Sequence, residues 1–164
     1  MNGTHALPNE ESAIKIYTAA TFQEQERIRH NKETLIKLGH SVLSTWLEEQ
    51  IKPVGMTDEE FGRKMAMKDL QEITASDCLI LDLENPSKTM GKMVEFGFAL
   101  AKHKLVYVVA PGDTLTKGHI FCLLADKVFA SWDELFEYFR KAHEGTPVSA
   151  EEFADYLRSR RAQV

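Results

Sequence analysis

The fold is decided by a short apolar run, Asp77-Cys-Leu-Ile-Leu-Asp-Leu83. Its hydrophobic residues follow one another without alternation, which is typical of a strand covered on both faces of a parallel sheet. A second run of this kind, Leu105–Ala110, ends at Pro111 and Gly112. Between the two runs, Met90–His103 has the apolar spacing of a helix. Strand, helix and strand in this order predict the unit from which parallel sheets are built.

Strands and helices continue to alternate on both sides of this unit. Thr57 and Glu60 have the spacing of a capping box, which predicts the start of a helix. Gly39 indicates the end of another helix, because glycine readily takes the backbone conformation found there. The predicted elements are strands at Ile14–Thr18, Ser41–Trp46 and Lys127–Ala130, helices at Phe22–Leu38, from Thr57 to about Ala75 and after Ser131, and a loop with a short helix at Thr114–Ala125.

These elements predict a doubly wound α/β domain of the flavodoxin or Rossmann type. We expect about five parallel strands with helices on both faces. We assign this domain to residues 13–145, preceded by a flexible tail at 1–12 and followed by a C-terminal helix at 146–164. In such folds ligands bind beyond the carboxyl ends of the strands, so the loops at that edge are the place to look for a site.

Composition excludes several classes of protein. The formal charge is −5, from 20 lysines and arginines against 25 aspartates and glutamates, which argues against a nucleic-acid polymer as partner. The longest apolar runs are much shorter than a membrane span, and Met1–Ser12 has no apolar core of a signal peptide. Cys78 and Cys122 both lie in apolar segments, which favours reduced thiols and a cytoplasmic location.

Cofactor motifs are absent from the sequence. No G-x-G-x-x-G follows the first strand, and the segment from Gly112 to Gly118 places its lysine before the second glycine, unlike a triphosphate-binding loop. The six histidines are scattered without metal-ligand spacing. We therefore expect neither a metal nor an organic cofactor.

Asp69 is the residue that the helical pattern singles out. It lies in the middle of an apolar stripe, four residues after Met65 and four before Ile73. A carboxylate at such a position costs several kcal/mol unless it is paired, protonated or next to a cavity. A hydrogen-bonded structural aspartate and a catalytic acid explain the pattern equally well.

Glu95 is the second candidate, and its position favours it more than its pattern does. The apolar residues of its helix, Phe96 and Leu100 among them, predict a buried face opposite Glu95, which leaves Glu95 exposed beside Lys92 and Ala99. A surface glutamate is the simpler interpretation. However, an early turn of the helix after the most buried strand is a place where the helix dipole would keep a nucleophilic carboxylate ionised.

Two aromatic residues end the first two predicted strands. Tyr17 is directed at the same edge of the sheet, although a strand tyrosine is more often a core residue with its hydroxyl at the rim. Trp46 is a candidate platform for stacking a base, and a rim aromatic is the alternative.

Three motifs together resemble the nucleoside 2-deoxyribosyltransferase family, which includes the 2′-deoxynucleoside 5′-monophosphate N-glycosidases. They are Lys15-Ile-Tyr-Thr-Ala-Ala-Thr-Phe22, Asp69-Leu-x-x-Ile-x-x-Ser-Asp77 and Gly91-Lys-Met-Val-Glu95-Phe-Gly-Phe-Ala-Leu-Ala101. The resemblance extends from about Ile14 to Phe139. It implies that Glu95 is the nucleophile, that Asp69 contacts and protonates the departing base, and that Tyr17 hydrogen-bonds near the nucleophile.

The resemblance also bears on the substrate, a small deoxynucleoside or deoxynucleotide, and here the chain departs from the family. Thr89 stands where the transferases carry an aspartate for the sugar 5′-hydroxyl, and Ser87 or Thr89 could serve as the serine of the phosphate-specific hydrolases. Gln23 stands where those hydrolases carry an arginine, so Arg27 or Arg29 would have to replace it. Free nucleoside and monophosphate both stay open. The candidate substrate-binding residues are Thr18, Ala19, Trp46, Ser87, Thr89, Gly91 and His119.

The implied mechanism needs two carboxyl groups in unlike environments. Glu95 would be ionised and capture the sugar, and Asp69 would hold a proton for the base. The deoxyribosyl-Glu95 intermediate would then pass to water or to another base. The alternative is a non-catalytic nucleotide-binding or regulatory module on the same fold.

Assembly is the last expectation from the sequence. Family members are generally dimers or larger, with a loop of the neighbouring chain closing the site, and Thr114–Phe121 with His119 is the corresponding stretch. Ser149–Arg161 reads as a capped helix with a narrow apolar stripe, which must be buried on its own domain or on a partner. We therefore expect a homodimer or a higher homo-oligomer.

Overall fold

The protein forms a five-stranded parallel sheet with the strand order β2-β1-β3-β4-β5. The computed structural model describes residues 13–48, 50–85, 90–112 and 120–145, with the backbone alone for 120 and 142–145. The elements are β1 (Lys15–Ala19), α1 (Gln25–Lys37), β2 (Ser41–Val42), α2 (Asp58–Ala75), β3 (Cys78–Asp82), α3 (Gly91–Ala101), β4 (Leu105–Val109), β5 (Lys127–Phe129) and α4 (Trp132–Gly145). The predicted doubly wound α/β fold with five parallel strands is confirmed.

Two apolar clusters cover the two faces of the sheet. Side chains alternate between the faces along each strand, so Ile16 and Ile80 pack in one cluster with α1 and α4. Tyr17 and Leu79, one position away, pack in the other cluster with α2 and α3. Tyr17 is therefore held between the sheet and the two helices that carry Asp69 and Glu95.

The strand order creates a switch point at the carboxyl ends of β1 and β3. These two strands are neighbours in the sheet, but α1 after β1 packs on one face and α3 after β3 packs on the other. The connections therefore diverge and leave a crevice between them, which is where ligands bind in doubly wound folds.

The second strand is shorter than predicted. Only Ser41 and Val42 pair with β1, and Thr45–Leu47 forms a 3-10 turn instead of continuing the predicted strand to Trp46. The reason is that side chains replace the ladder: the Ser44 hydroxyl accepts a hydrogen bond from Thr18 N, and the Glu72 carboxylate accepts one from Thr45 N. An edge strand with one neighbour is easily ended in this way.

The helix predicted over Phe22–Leu38 begins later. Phe22–Glu24 is a 3-10 turn, and α1 follows from Gln25 to Lys37. Gly39 lies just beyond α1 with a φ of 90°, as its predicted role at the helix end requires. The capping box of α2 is also confirmed, because Glu60 N donates to the Thr57 hydroxyl and Thr57 N donates to the Glu60 carboxylate.

Three predicted segments lie outside the described residues: the tail at 1–12, the C-terminal helix at 146–164 and most of Thr114–Phe121. Ile120–Leu124, within the predicted loop, forms a short 3-10 helix. In the part of the chain that the structure describes, no helix has the length and apolar character needed to cross a membrane.

Candidate active site

Tyr17 joins the site to the core of the sheet. Its ring is fully buried on the face covered by α2 and α3, and its hydroxyl donates a hydrogen bond of 2.9 Å to Glu95 Oε1. Burial, followed by the charge of Glu95, raises the pKa of Tyr17 far above its ordinary value. The hydroxyl is therefore a permanent donor, and it fixes the Glu95 carboxyl group at the face of the sheet.

The prediction that Glu95 is exposed is wrong. The buried residues of α3 are Lys92, Phe96 and Ala99, which is the side where Glu95 lies, and Val94 on the predicted buried side is 63% exposed. Because α3 packs against α2 as well as against the sheet, this side faces Tyr17 rather than solvent. Glu95 is partly buried as a result.

Lys92 explains how the side of α3 that carries a lysine and Glu95 can be buried against the rest of the protein. Its side chain is 4% exposed, and its ammonium group donates to Asp82 O, Asn85 O and Thr21 Oγ1 at 3.1–3.3 Å. These oxygens replace water around the charge. The lysine thus fastens the start of α3 to the ends of β1 and β3, one turn before Glu95.

Asp69 lies on the buried side of α2, as its position in the apolar stripe predicts. Met65 and Leu70 are partly buried and Ile73 is fully buried. Burial, with an addition from the negative charge of Glu72, raises the pKa of Asp69 to about 6. The Tyr17 hydroxyl and Lys68 act in the opposite direction. The Tyr17 hydroxyl therefore acts on both carboxyl groups and links Asp69 to Glu95.

The two carboxyl groups differ in the opposite order from the one expected. Burial raises the pKa of Glu95 to about 8, although the Tyr17 hydroxyl acts to lower it. Glu95 is the fifth residue of α3, beyond the first turn in which a helix dipole is effective, and it is more enclosed than Asp69. Burial therefore favours the protonated form of both carboxyl groups.

A cavity of about 500 Å³ opens next to Asp69. Its wall combines four aromatic or apolar residues, Phe22, Trp46, Phe61 and Met65, with seven polar or charged ones, among them Lys68 and Asp69. Tyr17 and Glu95 are not part of this wall, so Asp69 connects the cavity to the Tyr17–Glu95 pair. Aromatic side chains in the wall, together with a carboxyl group of raised pKa, suit an aromatic base.

The other described candidate residues are placed in different ways. Trp46 lies in the 3-10 turn, and its indole Nε1 donates to Thr18 O at 2.8 Å, which fixes its ring in the cavity wall. The side chains of Thr18 and Ala19 are buried, and the Thr18 hydroxyl donates to Ser44 Oγ. Gly91 is the exposed first residue of α3. Ser87, Thr89 and His119 lie outside the described residues.

Arg27 and Arg29, the candidate replacements for the phosphate-binding arginine, are both bound by the protein itself. Arg27 forms a two-pronged ion pair with Asp82 at 3.0 Å and further pairs with Glu24 and Glu84. Arg29 donates through Nε and Nη2 to Leu47 O. Both guanidinium groups therefore already have hydrogen-bond partners within the protein.

Sequence reasoning missed Lys92 and Glu72. Glu72 accepts hydrogen bonds from Thr45 N and Thr45 Oγ1, and its charge acts on the Tyr17, Asp69 and Glu95 groups. A charged residue in a helix usually indicates a solvated face, so the pattern contained no signal for either residue. Within the described ranges, no group of three or more histidine, cysteine or acidic side chains is arranged to hold a metal ion.

Solved structures with the same fold include three of particular interest. A 2-deoxyribosyltransferase from Bacillus psychrosaccharolyticus has 22% identity and a TM-score of 0.62, covering 76% of this chain and 91% of that one. A conserved protein from Enterococcus faecalis has 18% identity and a TM-score of 0.59, covering 80% and 99%. A CMP N-glycosidase from Clostridium botulinum has 18% identity and a TM-score of 0.52, covering 76% and 95%. No curated protein sequence matches the chain.

A family model provides the assignment. The model described as nucleoside 2-deoxyribosyltransferase matches residues 16–143, which is most of the chain and contains all three residues of the Tyr17, Asp69 and Glu95 cluster. The protein therefore belongs to the nucleoside 2-deoxyribosyltransferase family.

Proposed function

We propose that this protein cleaves the N-glycosidic bond of 2′-deoxynucleosides or their 5′-monophosphates through a covalent deoxyribosyl-Glu95 intermediate. The sugar then passes to water or to another base. The observation that carries the proposal is the hydrogen bond of 2.9 Å between the Tyr17 hydroxyl and Glu95 Oε1, next to a second carboxyl group, Asp69, at a cavity wall. A nucleophile and an acid in unlike environments are what a retaining glycosyl transfer requires.

The first step uses the form of the pair in which Glu95 is ionised and Asp69 is protonated. A Glu95 oxygen forms a bond to the anomeric carbon while the carbon–nitrogen bond breaks, and the departing base takes its electron pair and the Asp69 proton. The positive charge that develops on the sugar favours an ionised Glu95, so binding and reaction draw the proton toward Asp69. Tyr17 stabilises the Glu95 carboxylate by donating to it.

The second step reverses the first with a new acceptor. Water, or the nitrogen of another base, attacks the anomeric carbon, and the bond to Glu95 breaks. Asp69, now a carboxylate, accepts the proton that the acceptor releases. The Glu95 carboxylate and the protonated Asp69 are thereby restored, and the free sugar or the new nucleoside leaves.

The remaining candidate residues form part of the same proposal. Trp46 stacks on the base in the cavity. Thr18 and Ala19, at the carboxyl end of β1, and Gly91, at the start of α3, border the sugar with their backbone groups. Ser87 and Thr89 contact the 5′ end of the substrate. Since Arg27 is already paired with three carboxylates, it does not supply a charge for a 5′-phosphate.

Assembly also belongs to the proposal. We expect a homodimer or a higher homo-oligomer in which His119 from one chain reaches the site of its neighbour and the segment 146–164 forms a helix outside the domain at 13–145. Large apolar side chains are exposed, among them Met90 at 80% and Phe121 at 65%, which supports a covered surface. Light scattering that shows a fully active monomer at micromolar concentration would contradict this.

A single panel assay tests the function. The protein is incubated with deoxynucleosides and their 5′-monophosphates, with and without an acceptor base, and free and exchanged bases are separated by chromatography. Base release without an acceptor indicates hydrolysis, and a new nucleoside indicates transfer. Binding of panel members without any release would instead favour a nucleotide-binding module.

A further inference from the structure

Glu72 is fixed next to the site by its own hydrogen bonds. It lies one helical turn after Asp69 on α2, so the two side chains share a face of the helix. Its Oε2 accepts from Thr45 N at 3.0 Å and its Oε1 accepts from the Thr45 hydroxyl at 2.5 Å. Both carboxylate oxygens are thus held by the turn that also carries Trp46, and the charge cannot swing away from Asp69.

Several charged or titratable groups lie around Asp69, and they act on its protonation in both directions. Lys68, its neighbour on α2, acts against protonation, and so does the Tyr17 hydroxyl. Glu72 is the nearby charge that acts most strongly in favour of it. The groups that surround Asp69 are Tyr17 from β1, Lys68 and Glu72 from α2, Glu95 from α3, and Arg29 and Glu48 from the cavity wall.

The influence of Glu72 on the two carboxyl groups is unequal. Glu72 shares a helix face with Asp69, three residues away on α2, and Thr45 holds its carboxylate there, whereas it acts on Glu95 from a different helix. A fixed negative charge nearer to Asp69 draws a shared proton toward Asp69.

We infer that Glu72 is a positioning residue that biases the single proton of the Asp69–Glu95 pair toward Asp69. This rests on the proposed function for its catalytic meaning, because the form with ionised Glu95 and protonated Asp69 is the one that reacts. The residue touches neither sugar nor base. It acts through Asp69 by its charge, and it holds the Trp46 wall through Thr45.

The test is a carboxyl titration by NMR in the absence of substrate. Carbon-13 labelled Asp69 and Glu95 are followed from pH 4 to pH 10 in the wild type and in Glu72→Gln, which keeps the shape but removes the charge. We expect the midpoint of Asp69 to fall by roughly 0.5–1 pH unit more than that of Glu95. Turnover at pH 7 should then fall by about 3- to 10-fold, because the productive form becomes rarer by that factor.

Two further variants keep the test decisive. Glu59→Gln removes a charge from an exposed, Arg63-paired position on the same helix and should change neither midpoint nor turnover. Thr45→Val keeps the Glu72 charge but releases one of its anchors, so the Asp69 midpoint should fall by less than in Glu72→Gln. If Glu72→Gln does not fold, Thr45→Val carries the test, and its Asp69 midpoint should fall by more than its Glu95 midpoint relative to the wild type.

The inference fails if the two midpoints move together, or not at all, whatever happens to activity. A loss of turnover with an unchanged Asp69 midpoint would mean that Glu72 is only structural. The titration needs no substrate, so it decides the effect of Glu72 even if the panel assay shows that the protein releases no base.

Discussion

At the scale of single residues, the site depends on how three buried polar groups share protons. Tyr17 donates to Glu95 at 2.9 Å, and its hydroxyl also lowers the proton affinity of Asp69. Burial raises the pKa of Asp69 to about 6 and of Glu95 to about 8. Groups with strongly shifted pKa values are found most often at functional sites, which makes this cluster the candidate site.

Asp69→Asn should keep the shape of the cavity but remove the transferable proton. We expect turnover to fall by about 10²–10⁴-fold, the usual range for general-acid catalysis. The loss should be smaller for substrates whose base is already a good leaving group. Steady-state base release measures this, with the exposed Asp58→Asn at the start of the same helix as a control. An equal loss for all bases, together with a large fall in Tm, would identify Asp69 as structural.

Tyr17→Phe should raise the pKa of Glu95, because the hydroxyl hydrogen bond acts to lower it. The hydroxyl acts in the same direction on Asp69, so both limbs of the bell-shaped kcat/KM profile should move upward, by about one pH unit. The matched control is Tyr107→Phe, a buried tyrosine on the opposite face of the sheet. A profile that does not move in Tyr17→Phe would remove the hydroxyl from the ionisation of Glu95.

At the scale of elements, the sequence predicted the kind of each strand and helix better than its ends or its orientation. Apolar runs such as Leu105–Val109 identified the buried strands, and the stripe on α2 identified the buried side that contains Asp69. The α3 helix was misjudged because its apolar residues lie almost all round it. Its orientation depends on Lys92, whose charge is buried among three oxygens that no local pattern reveals.

The shortened second strand has a similar explanation. Residues 43–46 have strand-like side chains, but Ser44 and Glu72 bind the backbone groups that a longer ladder would have used. These partners are 26 and 27 residues away along the chain. Contacts over such separations arise only from the fold, so the turn at Thr45 and the role of Glu72 could not be predicted from the local sequence.

Lys92→Met should destabilise the protein although the new side chain is apolar and of similar length. The backbone oxygen of Asp82 would lose its donor in a buried place, and that of Asn85 in a partly buried one, at a cost of about 1–3 kcal/mol in the free energy of unfolding. Chemical denaturation measures this, with Lys102→Met, an exposed position at the C-cap of the same helix, as a control. Turnover should fall as well, since α3 positions Glu95. Equal stability of the two variants would contradict the anchoring role.

At the scale of the whole molecule, the switch point of the sheet and the site coincide. The α2 and α3 helices lie on one face and enclose Tyr17, while α1 and α4 complete the opposite face. Tyr17 on β1, Asp69 on α2 and Glu95 on α3 are thus brought together from distant parts of the sequence. This arrangement explains why the site has to be assembled by folding and why its carboxyl groups are partly shielded from water.

The raised pKa of Glu95 also makes the stability of the whole molecule depend on pH. In the unfolded chain the group loses its proton near its ordinary pKa of 4.5, whereas in the folded protein it keeps the proton up to about 8. The stabilisation from the neutral, buried carboxyl group is therefore complete below about pH 4.5 and is lost as the pH rises to 8. Glu95→Gln stays neutral throughout, so its free energy of unfolding relative to the wild type should rise by about 1–3 kcal/mol between pH 5 and pH 8. A constant difference across this range would contradict the pKa shift.

The most direct test of the central claim is to trap the covalent intermediate. The protein is mixed with a deoxynucleoside or its 5′-monophosphate that it cleaves, quenched in acid within the first turnovers, digested and analysed by mass spectrometry. We predict a deoxyribosyl adduct on the peptide that contains Glu95, and neither adduct nor base release in Glu95→Gln. Undiminished base release by the Glu95→Gln variant would contradict the account, because the sugar would then be transferred without its nucleophile.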